Sequence, residues 1–308
     1  MSATVYVSRG RRRRRYAMVA SALVVAGVAS WQTADALAPR AAPSVRAGGP
    51  GWAAVQWPAQ GASAAAVGGG RIHATGATQP VPIASLAKVM TALVVLRHRH
   101  VSAEDPGFTI TITSDDVADT QRRRAEGQSV IAVDAGERLT ERQALEALLL
   151  PSANNIAMAL ARAASGSVEA FVEEMNAEAH RLGMLATRYT DPSGFDPATA
   201  STAHDQVLLA RAAMRVGAFA QIVGEPIATL PEVGVVRNTD RLLGQDGFVG
   251  IKTGSDQAAG GCFLFAARTS ASHRLVYGVV LGQRDGPLIP AGLRAARQLA
   301  DSVRSTVG

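Results

Sequence analysis

The stretch from Pro82 to Leu96, PIASLAKVMTALVVL, decides how the rest of the chain is read. An apolar run of helical length starts just after a proline. It carries a serine, Ser85, with an amine, Lys88, three residues further on. Residues three apart share a helix face, so the Lys88 ammonium can reach the Ser85 hydroxyl. Pro82 disfavours helix upstream and places Ser85 in the first turn. There the free N–H groups and the positive end of the helix dipole favour developing negative charge. A serine with an amine beside it is a nucleophile–base pair.

Lysine usage supports this reading. Lys and Arg together number 31, yet only Lys88 and Lys252 are lysines. Arginine cannot be deprotonated to act as a base, whereas a desolvated lysine can. A chain that otherwise uses arginine for every cation and keeps these two lysines needs an amine at both positions.

The 308 residues, 47% of them apolar, suffice for one large domain or two. Of the formal charge of +6, Arg9 and Arg11 to Arg15 account for the whole excess, leaving the remainder near neutral. With no basic patch interleaved with aromatics, nucleic-acid binding is not expected. The same arginines precede an apolar stretch, Tyr16 to Trp31, and small residues around Ala34-Asp35-Ala36, a cleavage-site pattern. Residues 1–38 are therefore expected to be a signal peptide, with a retained N-terminal anchor as the alternative and the only membrane contact. Either way the protein is expected to act outside the cytoplasmic membrane, in the cell envelope. Residues 39–51, rich in Pro, Gly and Ala, are expected to be a tether to a domain spanning 52–304. Cys262 is the single cysteine, so no internal disulfide is available.

Along the domain, Ala53 to Trp57 and Arg71 to Thr75 read as strands of a hairpin, and Phe108 to Thr113 as a further strand. Thr140-Glu141-Arg142-Gln143 is a capping box ahead of an apolar run to Leu150. Helices are expected over Ser152 to Ala164, over Ser167 to Leu182 with Gly183 ending it, and from a Thr202 cap to about Val216. Thr190 to Ser201 is turn-rich, and Arg122 to Arg124 read as a solvated cluster in a polar loop. Strands return at Phe248 to Thr253, Cys262 to Arg268 and Arg274 to Gly282, before a final helix from about Ile289 to Val303. Strands at both ends with helices between them give an α+β fold: an antiparallel sheet flanked by helices, with an inserted helical subdomain.

Three short strings carry chemistry: Ser85-Leu86-Ala87-Lys88, Ser152-Ala153-Asn154 and Lys252-Thr253-Gly254. Each alone has an ordinary structural explanation: a surface helix pair, an N-cap, a turn. In this order and context they resemble the motif set of the serine penicillin-recognising enzymes. Through ASLAKVMTAL, LLLPSANNIAMALA, TRYTDPSGF, STAHD and FVGIKTG, the chain most resembles the low-molecular-weight D-alanyl-D-alanine carboxypeptidases, peptidase family S11. Two details depart from that family's pattern: Asp256 where Thr or Ser is common, and Ser193-Gly194-Phe195 where Thr-Gly-Leu is usual.

The resemblance implies a β-lactamase/transpeptidase-like fold and a peptidoglycan stem peptide ending in D-Ala-D-Ala as substrate. It also implies β-lactams as covalent inhibitors and neither metal nor cofactor. Ser85 would be the nucleophile, Lys88 its base and Ser152 a proton relay to the leaving amine. Asn154 would hold Lys88 and the substrate amide. Lys252, Thr253 and Gly254 would bind the terminal carboxylate. The backbone N–H groups of Ser85 and Ser255 would form the oxyanion hole.

Three other readings compete. An endopeptidase that cuts cross-links would use the same residues. A non-catalytic β-lactam sensor would not need the intact set of serines and lysines. A class A β-lactamase would need a deacylating Glu with Asn four residues later. None of Glu169, Glu173, Glu174, Glu178, Glu225 and Glu232 has one. His73, His98, His100, His180, His204 and His273 lack metal-ligand spacing.

Overall fold

The structure, a computed structural model, describes residues 50–98, 101–102, 105–269 and 274–307. The expected signal segment and nearly all of the expected tether lie outside these residues, as do His100 and His273. The last two tether residues begin a one-turn helix, α1 (Pro50–Ala53).

A hairpin of β1 (Ala62–Val67) and β2 (His73–Gly76) leads to β3 (Val81–Pro82), a 3₁₀ turn at Ala84–Leu86 and then α2 (Ala87–His98). The helical block follows. Its first part runs through β4 (Thr109–Thr111), α3 (Ser114–Ala125), β5 (Arg138–Thr140) and α4 (Glu141–Leu149). It continues with α5 (Asn154–Ser165), α6 (Val168–Arg181), β6 (Ala200–Ser201), α7 (Ala203–Ala213) and α8 (Gly217–Val223). A small hairpin, β7 (Ile227–Leu230) with β8 (Gly234–Arg237), precedes the long strands β9 (Phe248–Asp256), β10 (Gly260–Arg268) and β11 (Leu275–Gln283). The last described element is α9 (Leu288–Thr306).

The main sheet is antiparallel in the order β2-β1-β11-β10-β9, so the N-terminal hairpin is closed onto the C-terminal strands. Both faces are covered. Phe263, Phe265, Val276 and Val280 pack under Leu293, Ala296 and Leu299 of α9. Their neighbours Cys262, Leu264, Val279 and Leu281 face the helical block with α2 and α7. Alternate residues thus serve two cores, which is why these strands read as unbroken apolar runs.

Several expected elements move. Ala53 to Trp57 is not a strand: α1 takes Ala53, and Trp52 stacks on His73 at a ring-centroid separation of 4.1 Å. The outer hairpin uses Ala62–Val67 instead, a sequence of weak strand propensity that is fully buried and paired on both sides. Tertiary burial outweighs propensity there. Arg122 to Arg124 occupy the last turn of α3 rather than a loop. That helix has its own capping box, Thr113 with Asp116, a signal present in the sequence. The helix begun by Thr202 stops at Ala213, and α8 follows as a separate helix. The Thr140 capping box forms as expected, and Ser167 caps α6 through its side chain.

In the sheet, Gly278 lies opposite Phe265, and a Cβ there would stand 2.3 Å from the ring. Gly278→Ala is expected to cost about 1–3 kcal/mol through overpacking, read as a lower urea midpoint with an unchanged slope.

Candidate active site

Ser85 lies in the 3₁₀ turn that starts α2, half-buried between two close backbone approaches. On one side is β9: a Cβ on Gly254 would stand 3.2 Å from Ser85 N, Leu86 N and the Ile83 carbonyl. On the other is Gly194, at φ +77, where a Cβ would fall 1.9 Å from the Ala84 carbonyl. Only glycine fits at Gly194, and a side chain at Gly254 would crowd the Ser85 turn. Ala84 itself is held at φ 46. Three described non-glycine residues have positive φ, and two of them are Ala84 and Ser152. A left-handed residue of this kind costs about 1–3 kcal/mol, so both functional serines are held by strained backbone that the surrounding packing must over-determine.

Lys88 lies one turn on, with its side chain buried and its Nζ 2.8 Å from Ser85 Oγ. It also donates to the Ser193 carbonyl at 2.9 Å. That carbonyl is aimed by Asp191, whose carboxylate accepts from Ser193 N at 3.1 Å, Gly194 N at 3.1 Å, Phe195 N at 3.2 Å and the Thr199 hydroxyl at 2.9 Å. The turn-rich Thr190–Ser201 segment is therefore a built clamp on the Lys88 amine. Phe195, where the family usually has Leu, is half-exposed at its rim.

The second motif straddles a helix boundary. Ser152 is not helical: at φ 69 it turns the chain ahead of α5, which begins at Asn154. Its Oγ is buried with no hydrogen-bond partner among the described residues, as is Asn154 Oδ1. The expected bond from Asn154 to Lys88 is not made. Asn154 Nδ2 donates instead to Gln128 Oε1 at 2.7 Å, and the amine's bonds go to Ser85 and Ser193.

On β9, Lys252 is buried and donates to the Thr253 carbonyl at 3.0 Å, while the Thr253 and Thr239 hydroxyls lie 2.6 Å apart. Ser255 follows Gly254 on the same strand, one residue beyond the close approach of β9 to Ser85 N. Asp256 serves the local backbone, its carboxylate accepting from Ala259 N at 2.6 Å in the β9–β10 turn.

Burial is the main influence on both amines. It holds Lys88 well below the ordinary lysine pKa, with the Lys252 charge adding to the effect and Asp191 opposing it. It brings Lys252 down to about 7, against the pull of Asp240. Asp240 is itself raised to about 6 by burial. An amine of lowered pKa on a serine hydroxyl, with a second buried amine close by, suits nucleophilic attack at a carbonyl next to a carboxylate.

The sequence motifs do not point to Asp191, the Ser193 carbonyl, Gln128 or Asn155. The Asn155 side chain ties the 129–131 segment to α3, donating to the Ile131 carbonyl at 3.1 Å and to Thr120 Oγ1 at 3.0 Å. Two surface hollows of about 330 and about 480 Å³ lie elsewhere, along Arg97, His98 and Glu174 and along Arg268, Asp301 and Arg304. They hold none of the motif residues.

Such a site belongs to an enzyme that carries acyl groups on serine, and known proteins narrow that class. The profile of the peptidase S11 family, D-alanyl-D-alanine carboxypeptidase, matches residues 59–285. The chain is 39% identical over 208 residues to the D-alanyl-D-alanine carboxypeptidase DacB2 of Mycobacterium tuberculosis, a match covering 65% of this chain and 67% of that one. It is 34% identical over 208 residues to a D-alanyl-D-alanine endopeptidase of Pseudomonas aeruginosa, covering 65% and 63% of the two chains. The Streptomyces K15 DD-transpeptidase superposes with a TM-score of 0.71 at 28% identity, covering 80% of this chain and 98% of its own. A penicillin-binding protein homologue of M. tuberculosis does so at 0.69 and 31%, covering 82% and 94%. The chain belongs to the peptidase S11 family of D-alanyl-D-alanine carboxypeptidases, serine-type hydrolases with the fold of the DD-transpeptidases.

With only two lysines in the chain, selective ¹⁵N-lysine labelling yields two side-chain resonances. In a pH titration, Lys252 is expected to titrate near 7 and Lys88 well below 10.5. Lys252→Met removes a neighbouring cation and is expected to move the Lys88 midpoint upward; an unmoved midpoint would mean that the two amines do not interact.

Proposed function

We propose that this protein is an exported D,D-carboxypeptidase that removes the terminal D-Ala from peptidoglycan stem peptides through an acyl-enzyme on Ser85. The observation that carries the reading is the buried Lys88 amine 2.8 Å from Ser85 Oγ, beside the Lys252-Thr253-Gly254 strand.

Ser85 Oγ attacks the carbonyl carbon of the penultimate D-Ala and gives its proton to Lys88. The developing oxyanion lies between the N–H groups of Ser85 and Ser255. The terminal carboxylate is held by the Lys252 ammonium and the Thr253 hydroxyl. As the C–N bond breaks, the leaving amine takes a proton through Ser152, whose unpartnered hydroxyl is free to relay it. Water then adds to the ester carbonyl and gives a proton to Lys88, now deprotonated again, which passes that proton to the Ser85 oxygen as it leaves, and the shortened peptide departs. β-Lactams enter the same sequence as acylating inhibitors. The arginine-rich start followed by the apolar stretch to Trp31 supports export, with the domain working in the cell envelope.

Purified domain lacking residues 1–38 is expected to form a lasting adduct with a fluorescent penicillin and to release D-alanine from a peptide ending in D-Ala-D-Ala. Ser85→Ala abolishes both, and Lys88→Arg, which keeps the charge and loses the base, slows both by about 10²–10⁴-fold. Adduct without D-alanine release, with cleavage of a cross-linked dimer instead, would replace this reading by an endopeptidase. Intact-mass analysis of secreted protein is expected to show a chain starting near Leu37; full-length mass in the membrane fraction would mean a retained anchor.

A further inference from the structure

Asp191 belongs to none of the three motifs, yet its carboxylate decides which way two peptide planes beside α2 are turned. In a trans peptide the N–H and the C=O lie in one plane and point in opposite directions. The Pro192 carbonyl shares such a plane with Ser193 N–H, and the Ser193 carbonyl shares the next with Gly194 N–H. Both N–H groups donate to Asp191, at 3.1 Å each, so both carbonyls are turned away from it. Both meet α2. The Pro192 carbonyl accepts from Thr91 Oγ1 at 2.6 Å, and the Ser193 carbonyl accepts from Lys88 Nζ at 2.9 Å. Thr91 lies three residues beyond Lys88 on the same helix face. The carboxylate also accepts from Phe195 N at 3.2 Å, from the Thr199 hydroxyl at 2.9 Å and from the Ser193 hydroxyl.

This has a consequence for the amine. A carbonyl oxygen can only accept, so one N–H of Lys88 is committed to Ser193. The lone pair of the neutral amine cannot face that oxygen. It is left to the directions open toward Ser85 Oγ, 2.8 Å away, whose hydroxyl can donate. When the Ser85 proton is taken up, a charge appears on a buried nitrogen. The bond to the Ser193 carbonyl strengthens as its donor becomes an ammonium. Lys252 from β9 and Arg123 from α3, itself paired with Asp119, oppose that charge. Among the described residues that act on Lys88, Asp191 is the one anion and favours it.

We propose that Asp191 is a positioning residue for the Lys88 base: by holding the Gly194 peptide plane it keeps the Ser193 carbonyl on the amine, and its charge answers the one Lys88 acquires on taking the Ser85 proton. The inference rests on the acyl-enzyme mechanism proposed above. The packing agrees with it, since Gly194 lies against the Ala84 carbonyl and Ala87, at the start of the same helix.

The test compares two variants with the wild type. Asp191→Asn removes the charge and one of the two acceptor oxygens. Ser193→Ala removes a single hydroxyl bond to the same carboxylate and keeps both the carbonyl and the charge. Two quantities are read in each: the Lys88 midpoint by ¹⁵N-lysine titration, and the pH profile of acylation by a fluorescent penicillin. The base acts as the neutral amine, so acylation is lost as pH falls through the Lys88 midpoint. Asp191→Asn is expected to lower that midpoint, to move the acid limb to lower pH with it, and to slow acylation on the plateau by about tenfold. Ser193→Ala is expected to leave the midpoint in place. A midpoint that Asp191→Asn leaves unmoved, or raises toward the ordinary lysine range, would reduce Asp191 to a structural support and overturn the proposal. A midpoint lowered by Ser193→Ala would overturn it as well, and that arm stands even where thermal melting shows Asp191→Asn to be unfolded. Wild-type protein acylated by penicillin without releasing D-alanine would overturn the carboxypeptidase reading alone. Wild-type protein that penicillin never acylates would overturn the acyl-enzyme mechanism, and this inference with it.

Discussion

The burial of two amines in one site is the constraint on which the rest of the structure depends. Lys88 and Lys252 are both removed from water, which disfavours charge on each, and the Lys252 charge lowers the Lys88 pKa further. That arrangement survives only if every polar neighbour is placed by something rigid. Asp191 does this for the carbonyl beneath Lys88, and Asp240 lies close enough to oppose the fall in the Lys252 pKa. The sheet supplies Lys252 and the helical block supplies Lys88, Ser152 and Asn154. The burial of the two amines is thus maintained by the packing of one part of the domain on the other.

Backbone strain sits at the same place. Ala84 and Ser152 adopt left-handed conformations beside or at the functional serines, whereas Gly194 and Gly254 let backbone press in on the Ser85 turn. Strained residues and close glycine contacts within one site mark a geometry set by its surroundings rather than by local preference. Asp256 shows the opposite case. A departure from the family pattern, it is absorbed into a hairpin turn, where it caps Ala259 N.

The motifs and the fold class can be read from the sequence because they are local or periodic. Ser85 and Lys88 share a turn, the Thr140 capping box is a four-residue pattern, and the long C-terminal strands are continuous apolar runs. What cannot be read depends on contacts distant in sequence. Ala62–Val67 becomes a strand only because β11 and β2 pair on its two sides. The Ser193 carbonyl meets Lys88 across 105 residues, and Gln128 meets Asn154 across 26. The Arg122 to Arg124 cluster reads as solvated only while its helix goes unrecognised, although Thr113 and Asp116 announce that helix; Arg123 then points inward to Gln128.

The division of the site between sheet and helical block has a kinetic consequence. The motif residues come together only where the two parts meet. A modest opening between them would leave helices and strands intact and separate Lys252 from Lys88. The amines would then rehydrate, and the recovery of their hydration would favour the opened state. Inactivation by heat or denaturant is thereby set to run ahead of unfolding, with lost reactivity at Ser85 as its first sign.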